Sequence, residues 1–164
     1  MSGDGRTVEV TLDRHRYAVH VEAGALTRAG RHLAPYFCNG RALVVTDPNV
    51  ARHWLPTLTE ALAAEDIVVD AIEVPAGDAA KCWAELERLT DWLLDRGVER
   101  GHHIIALGGG AVGDLTGFAA SIVKRGCRFV QIPTTLLAMV DAAVGGKTGI
   151  NTDAGKNLVG SFHE

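Results

Sequence analysis

The sequence predicts an α/β protein: an open, mainly parallel, doubly wound Rossmann-like sheet with an amino-terminal β-hairpin. Three observations predict it. Apolar runs of strand length at Arg41–Thr46, Ile67–Val74, His103–Leu107 and Arg128–Ile132 alternate with stretches of helical length. The runs are nearly continuous, as in strands covered by helices on both faces. Asp47-Pro48, Gly77-Asp78, Gly108-Gly109-Gly110 and Pro133-Thr134 follow them, so turn chemistry collects at the strand carboxyl ends, where open α/β sheets bind ligands.

Val8–Leu12 and Tyr17–Val21 alternate around a polar Asp13-Arg14-His15 corner and read as a hairpin. A helical stretch runs from Ala25 towards Tyr36. After Arg41–Thr46, Asp47 caps a helix over Asn49–Ala64 with Pro48 at its first position. Ile67–Val74 reads as a second strand buried on both faces. A helix near Ala80–Asp95 then places Trp83, Leu86, Leu89, Trp92 and Leu93 on one face. Gly97 and Gly101 break the chain, His103–Leu107 enters Gly108–Gly110, and a helix runs to about Ser121. Beyond Arg128–Ile132, Leu136–Val144 reads as a short helix and the rest as turns and short strands.

The chain has 164 residues, 16 Lys+Arg against 20 Asp+Glu, a net charge of −4 and 47% apolar residues. Disorder does not fit this apolar content, and without basic runs there is no footing for nucleic acid. An area near roughly 7,900 Å² is expected for a compact domain of this mass. No apolar run approaches the ~20 residues that cross a bilayer, and the first residues lack a secretory pattern, so the expectation is a cytoplasmic protein with no membrane partner. Cys38, Cys82 and Cys127 are odd in number and widely spaced, which suits reduced packing residues. The 19 glycines concentrate between Gly108 and Gly149, where chemistry is to be sought.

Gly108-Gly109-Gly110-Ala111-Val112-Gly113 fits G-x-G-x-x-G between a strand and a helix, a context that lets backbone amides meet a pyrophosphate. It follows a late strand, and no acidic residue occurs between Asp114 and Asp141, so the fit to a simple dinucleotide fold is imperfect. The alternative is a tight turn capped by Asp114. Asp47 and Asn49 suit ribose hydroxyls or plain helix capping. Asp78 and Lys81 share a face at a helix start and read in isolation as a solvated pair. Gly146-Lys147-Thr148 resembles the end of a P-loop, but its first glycine would fall at Asp141, so that reading fails. Lys147, Lys156 and Asn157 lie on glycine-rich backbone with Arg125 upstream, an arrangement suited to an anionic ligand. Asp141 follows apolar Leu136–Val140 and would be costly if merely buried, which makes it a candidate too. The seven histidines form no visible metal site; His102 and His103 point to opposite strand faces.

The run from Gly108 to Glu164, with PTTLLAMVDAAVGGKTGIN at its centre, resembles the 3-dehydroquinate synthase family of sugar phosphate cyclases. The whole chain is similar to the amino-terminal, NAD-binding half of that family, residues 1–164 forming one domain ahead of a helical one. The resemblance implies conversion of 3-deoxy-arabino-heptulosonate 7-phosphate, a sugar phosphate, to 3-dehydroquinate and phosphate in the shikimate pathway, with NAD and zinc as cofactors. It implies that Asp47 and Asn49 hold the adenosine ribose, that Gly109, Gly110, Gly113 and Asp114 form the pyrophosphate turn, and that Thr134 and Thr135 lie near the cofactor. Asp78 and Lys81 match a family Glu-x-x-Lys, with a shortened carboxylate. Asp141, Lys147, Lys156 and Asn157 match residues lining the substrate and nicotinamide, and Arg125 one that reaches substrate phosphate, in some members across a homodimer interface. The family's Glu and two His zinc ligands lie beyond the equivalent of Glu164, and His163-Glu164 does not match them. The expectation is therefore a chain that alone holds NAD weakly and lacks turnover. Two alternatives stay open: another cyclase, of valiolone or inosose type, and a noncatalytic nucleotide-binding module.

Overall fold

The computed structural model describes residues 5–12 and 16–164. The hairpin forms from β1 (Arg6–Thr11) and β2 (Arg16–Val21), antiparallel, with Arg6 opposite Val21; its expected corner at 13–15 lies outside the described residues. The stretch expected as one helix from Ala25 is instead broken into a 3₁₀ turn, the short helix α1 (Ala29–Leu33) and a second 3₁₀ turn with Pro35 inside it. Proline removes a backbone donor, so a regular helix does not continue through it.

Four parallel strands follow: β3 (Arg41–Thr46), β4 (Val68–Glu73), β5 (His103–Gly108) and β6 (Arg128–Pro133). Their order across the sheet is β4-β3-β5-β6. The helices are α2 (Pro48–Ala63), α3 (Trp83–Asp95) and α4 (Gly110–Ile122). Alternate side chains of β3 and β5 feed two cores. Leu43, Val45, Ile104 and Ala106 join Leu86, Leu89 and Leu93 of α3 and Leu115 and Ala119 of α4. Ala42, Val44, Ile105 and Leu107 join Leu58 and Leu62 of α2 and Leu33 of α1. Helices on both faces explain why β3 and β5 read as unbroken apolar runs.

Three expectations are corrected here. The strand predicted as buried over Ile67–Val74 is an edge strand with Val68 69% exposed, because strand order is decided by crossovers that its own composition does not encode. Trp83 is 57% exposed at the start of α3, while Leu86, Leu89 and Leu93 make the buried stripe. The accessible area is 9446 Å², above the roughly 7,900 Å² expected of a compact domain. Part of that excess is apolar: Leu136, Leu137, Val140, Leu158 and Phe162 are all more than 60% exposed.

The chain after β6 forms a helical segment ending in a π-helical turn (Ala138–Ala142), then the antiparallel hairpin β7 (Lys147–Thr152) and β8 (Gly155–Phe162). This hairpin lies against α4. Gly117 permits the approach, since a Cβ there would stand 2.4 Å from Thr148 Cγ2. Among the described residues no helix is long and apolar enough to cross a membrane.

Candidate functional site

The chain runs from β3 to β4 on one side and returns to β5 on the other, so the sheet reverses direction between β3 and β5. A crevice outside the carboxyl ends of two such strands is where this architecture takes ligands. Asp47 follows β3 there, and Gly108–Gly110 carry the chain from β5 into α4.

Asp47 caps α2: its Oδ1 accepts from Asn49 N at 2.9 Å and Val50 N at 3.2 Å, and the residue is 8% exposed. Asn49 is exposed on the first turn. Across the crevice, Gly109 caps α4 without a side chain, and the first helical hydrogen bond is Gly113 N to Gly109 O. The amides of Gly110, Ala111 and Val112 are thus left without an intrahelical acceptor, at the positive end of the helix. Bulk at Gly113 would crowd the turn, because a Cβ there would stand 2.8 Å from Gln131 Oε1. Thr134 N donates to Gly108 O at 2.9 Å, which ties the end of β6 to the glycine turn. Thr134 Oγ1 is buried with no partner among the described residues, and so is the Oγ1 of Thr46, the last residue of β3. Thr135 Oγ1 accepts from Ala138 N at 3.2 Å and starts the following helical segment.

Asp114 does not cap the turn. Its Oδ2 accepts from Lys81 Nζ at 2.5 Å. Lys81 is only 6% exposed, directly after the 3₁₀ turn Gly77–Ala80 that precedes α3, and it also donates to Asn157 Oδ1. Lys156 donates to Asp78. The expected solvated pair of Asp78 and Lys81 is therefore replaced by two longer-range pairs, because α4 presents Asp114 to Lys81 and the β7–β8 hairpin brings Lys156 to Asp78. Burial pushes the Asp114 carboxyl above its ordinary range; Lys81 opposes this, while Asp78 and Asp141 add repulsion. The hydrogen bond from Lys156 holds exposed Asp78 below the usual carboxylate range.

Asp141 is exposed, so the burial argument for it does not hold, although its charge is felt at Asp114. Lys147 is exposed at the start of β7, opposite Phe162 and four positions before Asn151. Arg125 is not brought to this site. It follows α4 at the amino end of the sheet, and the 13 residues of α4, about 20 Å of helix, separate it from the glycine turn. Thr46 and Asn151 were not singled out from the sequence. A lone threonine closing the apolar run RALVVT was the available signal for the first, and nothing local marked the second.

The crevice fits a dinucleotide: free amides, an unpartnered hydroxyl and a glycine cradle converge there. A metal ion is not fitted, because among the described residues no three His, Cys, Asp or Glu side chains stand close enough to hold one.

Comparison with known proteins gives these residues a context. The sequence model of the family described as 3-dehydroquinate synthase N-terminal matches residues 71–164. The chain is 53% identical over 158 residues to the 3-dehydroquinate synthase of Zymomonas mobilis subsp. mobilis, covering 96% of this chain and 42% of that protein. It is also 53% identical to that of Paracoccus denitrificans, covering 96% and 43%. The chain thus spans less than half the length of these curated relatives. Among solved structures, 2-epi-5-epi-valiolone synthase from Streptomyces hygroscopicus subsp. jinggangensis, with NAD+ and Zn2+ bound, superposes with a TM-score of 0.72 at 35% identity, over 75% of this chain and 34% of that one. A 2-deoxy-scyllo-inosose synthase complexed with carbaglucose-6-phosphate, NAD+ and Co2+ gives 0.84 at 23% identity, over 96% and 42%, and attests the fold.

Proposed function

Because this chain belongs to the 3-dehydroquinate synthase N-terminal family, we propose that it is the NAD-binding part of an enzyme that converts 3-deoxy-arabino-heptulosonate 7-phosphate to 3-dehydroquinate and phosphate. The observation that carries the reading is the open amino end of α4 at the same end of the sheet as Asp47 and Thr134, with the Lys81–Asp114–Asn157 cluster built on the second turn of that helix. NAD bound there would supply a hydride acceptor for a secondary alcohol of the sugar and return the hydride later.

In this reading the amides of Gly110–Val112 bind the pyrophosphate, and Asp47 offers its second carboxylate oxygen to the adenosine ribose. Asn49 flanks the ribose, and Thr134 and Thr135 line the path between the two nucleotides. Lys81 holds Asp114 in place and favours its charged form against the burial that raises it; Asp78 holds Lys156 in place. Lys147, Asn157 and Asp141 face the sugar phosphate, and Arg125 reaches substrate phosphate from a second copy in a homodimer. The residues present do not fit zinc, so no step is assigned to it here; its ligands are proposed to belong to the remainder of the full-length protein, as is the rest of the substrate pocket. The setting we propose is the shikimate pathway in the cytoplasm.

The test is phosphate release by the full-length protein, with and without NAD, across the heptulosonate phosphate, sedoheptulose 7-phosphate and glucose 6-phosphate. Release from the first alone, dependent on NAD, is the expected result. Turnover of sedoheptulose 7-phosphate instead would favour the valiolone-type reading that the 35% likeness keeps in view, and NAD binding without any turnover would favour a noncatalytic module. Asp114→Ala and Lys147→Ala are each expected to lower NAD affinity or turnover by about tenfold or more; Lys147→Ala should leave the thermal melt unchanged, whereas Asp114→Ala should stay folded with a lowered melting temperature because it strips buried Lys81 of its carboxylate. Unchanged affinity and rate in both would contradict the assignment.

A further inference from the structure

The β7–β8 hairpin loses register at one point. Ile150 pairs with Val159 and Thr152 with Gly155, so Lys156, Asn157 and Leu158 stand opposite Asn151 alone. Bulges of this kind swing side chains out of their regular alternation and leave backbone groups unpaired. Here the bulge turns Lys156 to Asp78 and Asn157 to Lys81. It also puts Asn157 at φ 57°, a left-handed conformation that asparagine tolerates better than most residues but that still needs support.

Asn151 supplies that support. Its Oδ1 accepts from the Asn157 N–H at 3.0 Å. Its own N–H donates to Lys81 O at 2.8 Å. Lys81 Nζ closes the ring on Asn157 Oδ1. An ammonium group has only donors, so the oxygen of the Asn157 amide must face Lys81 and its NH₂ group must face the other way. Asn157 is exposed, and none of the described residues accepts from that NH₂ group. A pair of donors of fixed direction is thus held out over the site.

We propose that Asn151 is a positioning residue: it clamps the bulge so that the Asn157 amide presents its NH₂ group to the bound dinucleotide or sugar phosphate. The ligand's identity rests on the function proposed above; the clamp itself does not. Asn151→Ala removes the acceptor but leaves the backbone bond to Lys81, so the hairpin keeps its place while Asn157 loses its direction. Asn151→Asp keeps an acceptor of the same shape.

The experiment uses the full-length protein and four variants: Asn151→Ala, Asn151→Asp, Asn157→Ala and the double alanine variant. Asn151→Ala is expected to weaken kcat/KM and NAD affinity about tenfold, Asn151→Asp to recover most of the loss, and the double variant to match Asn157→Ala. Additive losses in the double variant, or unchanged kinetics in Asn151→Ala, would overturn the proposal. Hydrogen exchange at the Asn157 amide gives a readout independent of the reaction. It should be slow in the parent and in Asn151→Asp, and fast in Asn151→Ala. Equal exchange in all three overturns the clamp. If exchange behaves as expected in a protein that neither binds NAD nor releases phosphate, the functional reading fails and the clamp stands.

Discussion

At the amino end of the sheet, Arg41 and Arg96 share the Asp70 carboxylate at 2.7 and 3.0 Å, with the three side chains 40%, 33% and 31% exposed. At the carboxyl end, Lys81 and Asp114 meet at 2.5 Å with 6% and 22% exposure, and the left-handed Asn157 shares the same lysine. The first cluster is wet and screened. The second is drawn from three separate chain segments into a place where the ammonium has almost no water. Exposed pairs contribute little because solvent serves each partner nearly as well, whereas a buried charge stripped of its partner is strongly unfavourable. Among the described residues the buried charged side chains, Asp47 and Lys81, both lie at the carboxyl ends of the strands, where a ligand can use them, and this is the physical case for placing the site there.

Lys81→Ala should separate the two ends most sharply. It leaves Asp114 without its cation and Asn157 without its anchor, and about 3 kcal/mol of stability should be lost in urea unfolding, with NAD affinity lost as well. A loss below 1 kcal/mol would show that the carboxyl-end cluster is as dispensable as a surface pair. Arg96→Ala, its counterpart at the amino end, should cost about 0.5 kcal/mol and less in high salt. The comparison breaks if the two variants are equally destabilised.

Titration sharpens the same contrast. Because burial raises the Asp114 carboxyl, its contribution to stability is present below its unfolded value and is lost as pH rises through the folded one. The stability lost in Asp114→Asn should therefore be larger at pH 4 than at pH 7 in urea titrations at both values. At the amino end, His103 packs against Tyr36 with ring centroids 5.0 Å apart, and burial, with Arg128 and His102 nearby, lowers its value. The unfolded chain takes up a proton below about pH 6.5 that the folded ring refuses, so stability falls as pH drops through that range. His103→Leu should flatten that fall, the smallest of these effects; an unchanged slope would remove His103 from the account.

What the sequence disclosed divides along the same line. The continuous apolar runs, the Asp47-Pro48 helix start and the glycine turn after Leu107 are local patterns, and each forms at the place expected. Pairings across long stretches of chain were not legible. Lys81 reaches 33 residues to Asp114 and 76 to Asn157, and Lys156 reaches 78 to Asp78. Packing of the turn before α3 against α4 makes the first pair, and the docking of β7–β8 on α4 brings Asn157 and Lys156 to the other two, a docking that depends on close packing at Gly117, whose spacing resembles any helical glycine. The edge position of β4 was hidden for a related reason, since Val68-Val69-Asp70-Ala71-Ile72 carries the β propensity of a central strand and sheet order is a property of the whole chain.

Selective labelling of glycine amides, followed by two-dimensional NMR through an NAD titration of the full-length protein, tests the crevice most directly. Gly109, Gly110 and Gly113 should shift in a saturable way while Gly40, Gly97 and Gly101, away from the carboxyl ends, stay in place. Saturable shifts confined to the second group, or none in the first, would contradict a dinucleotide cradle at the amino end of α4.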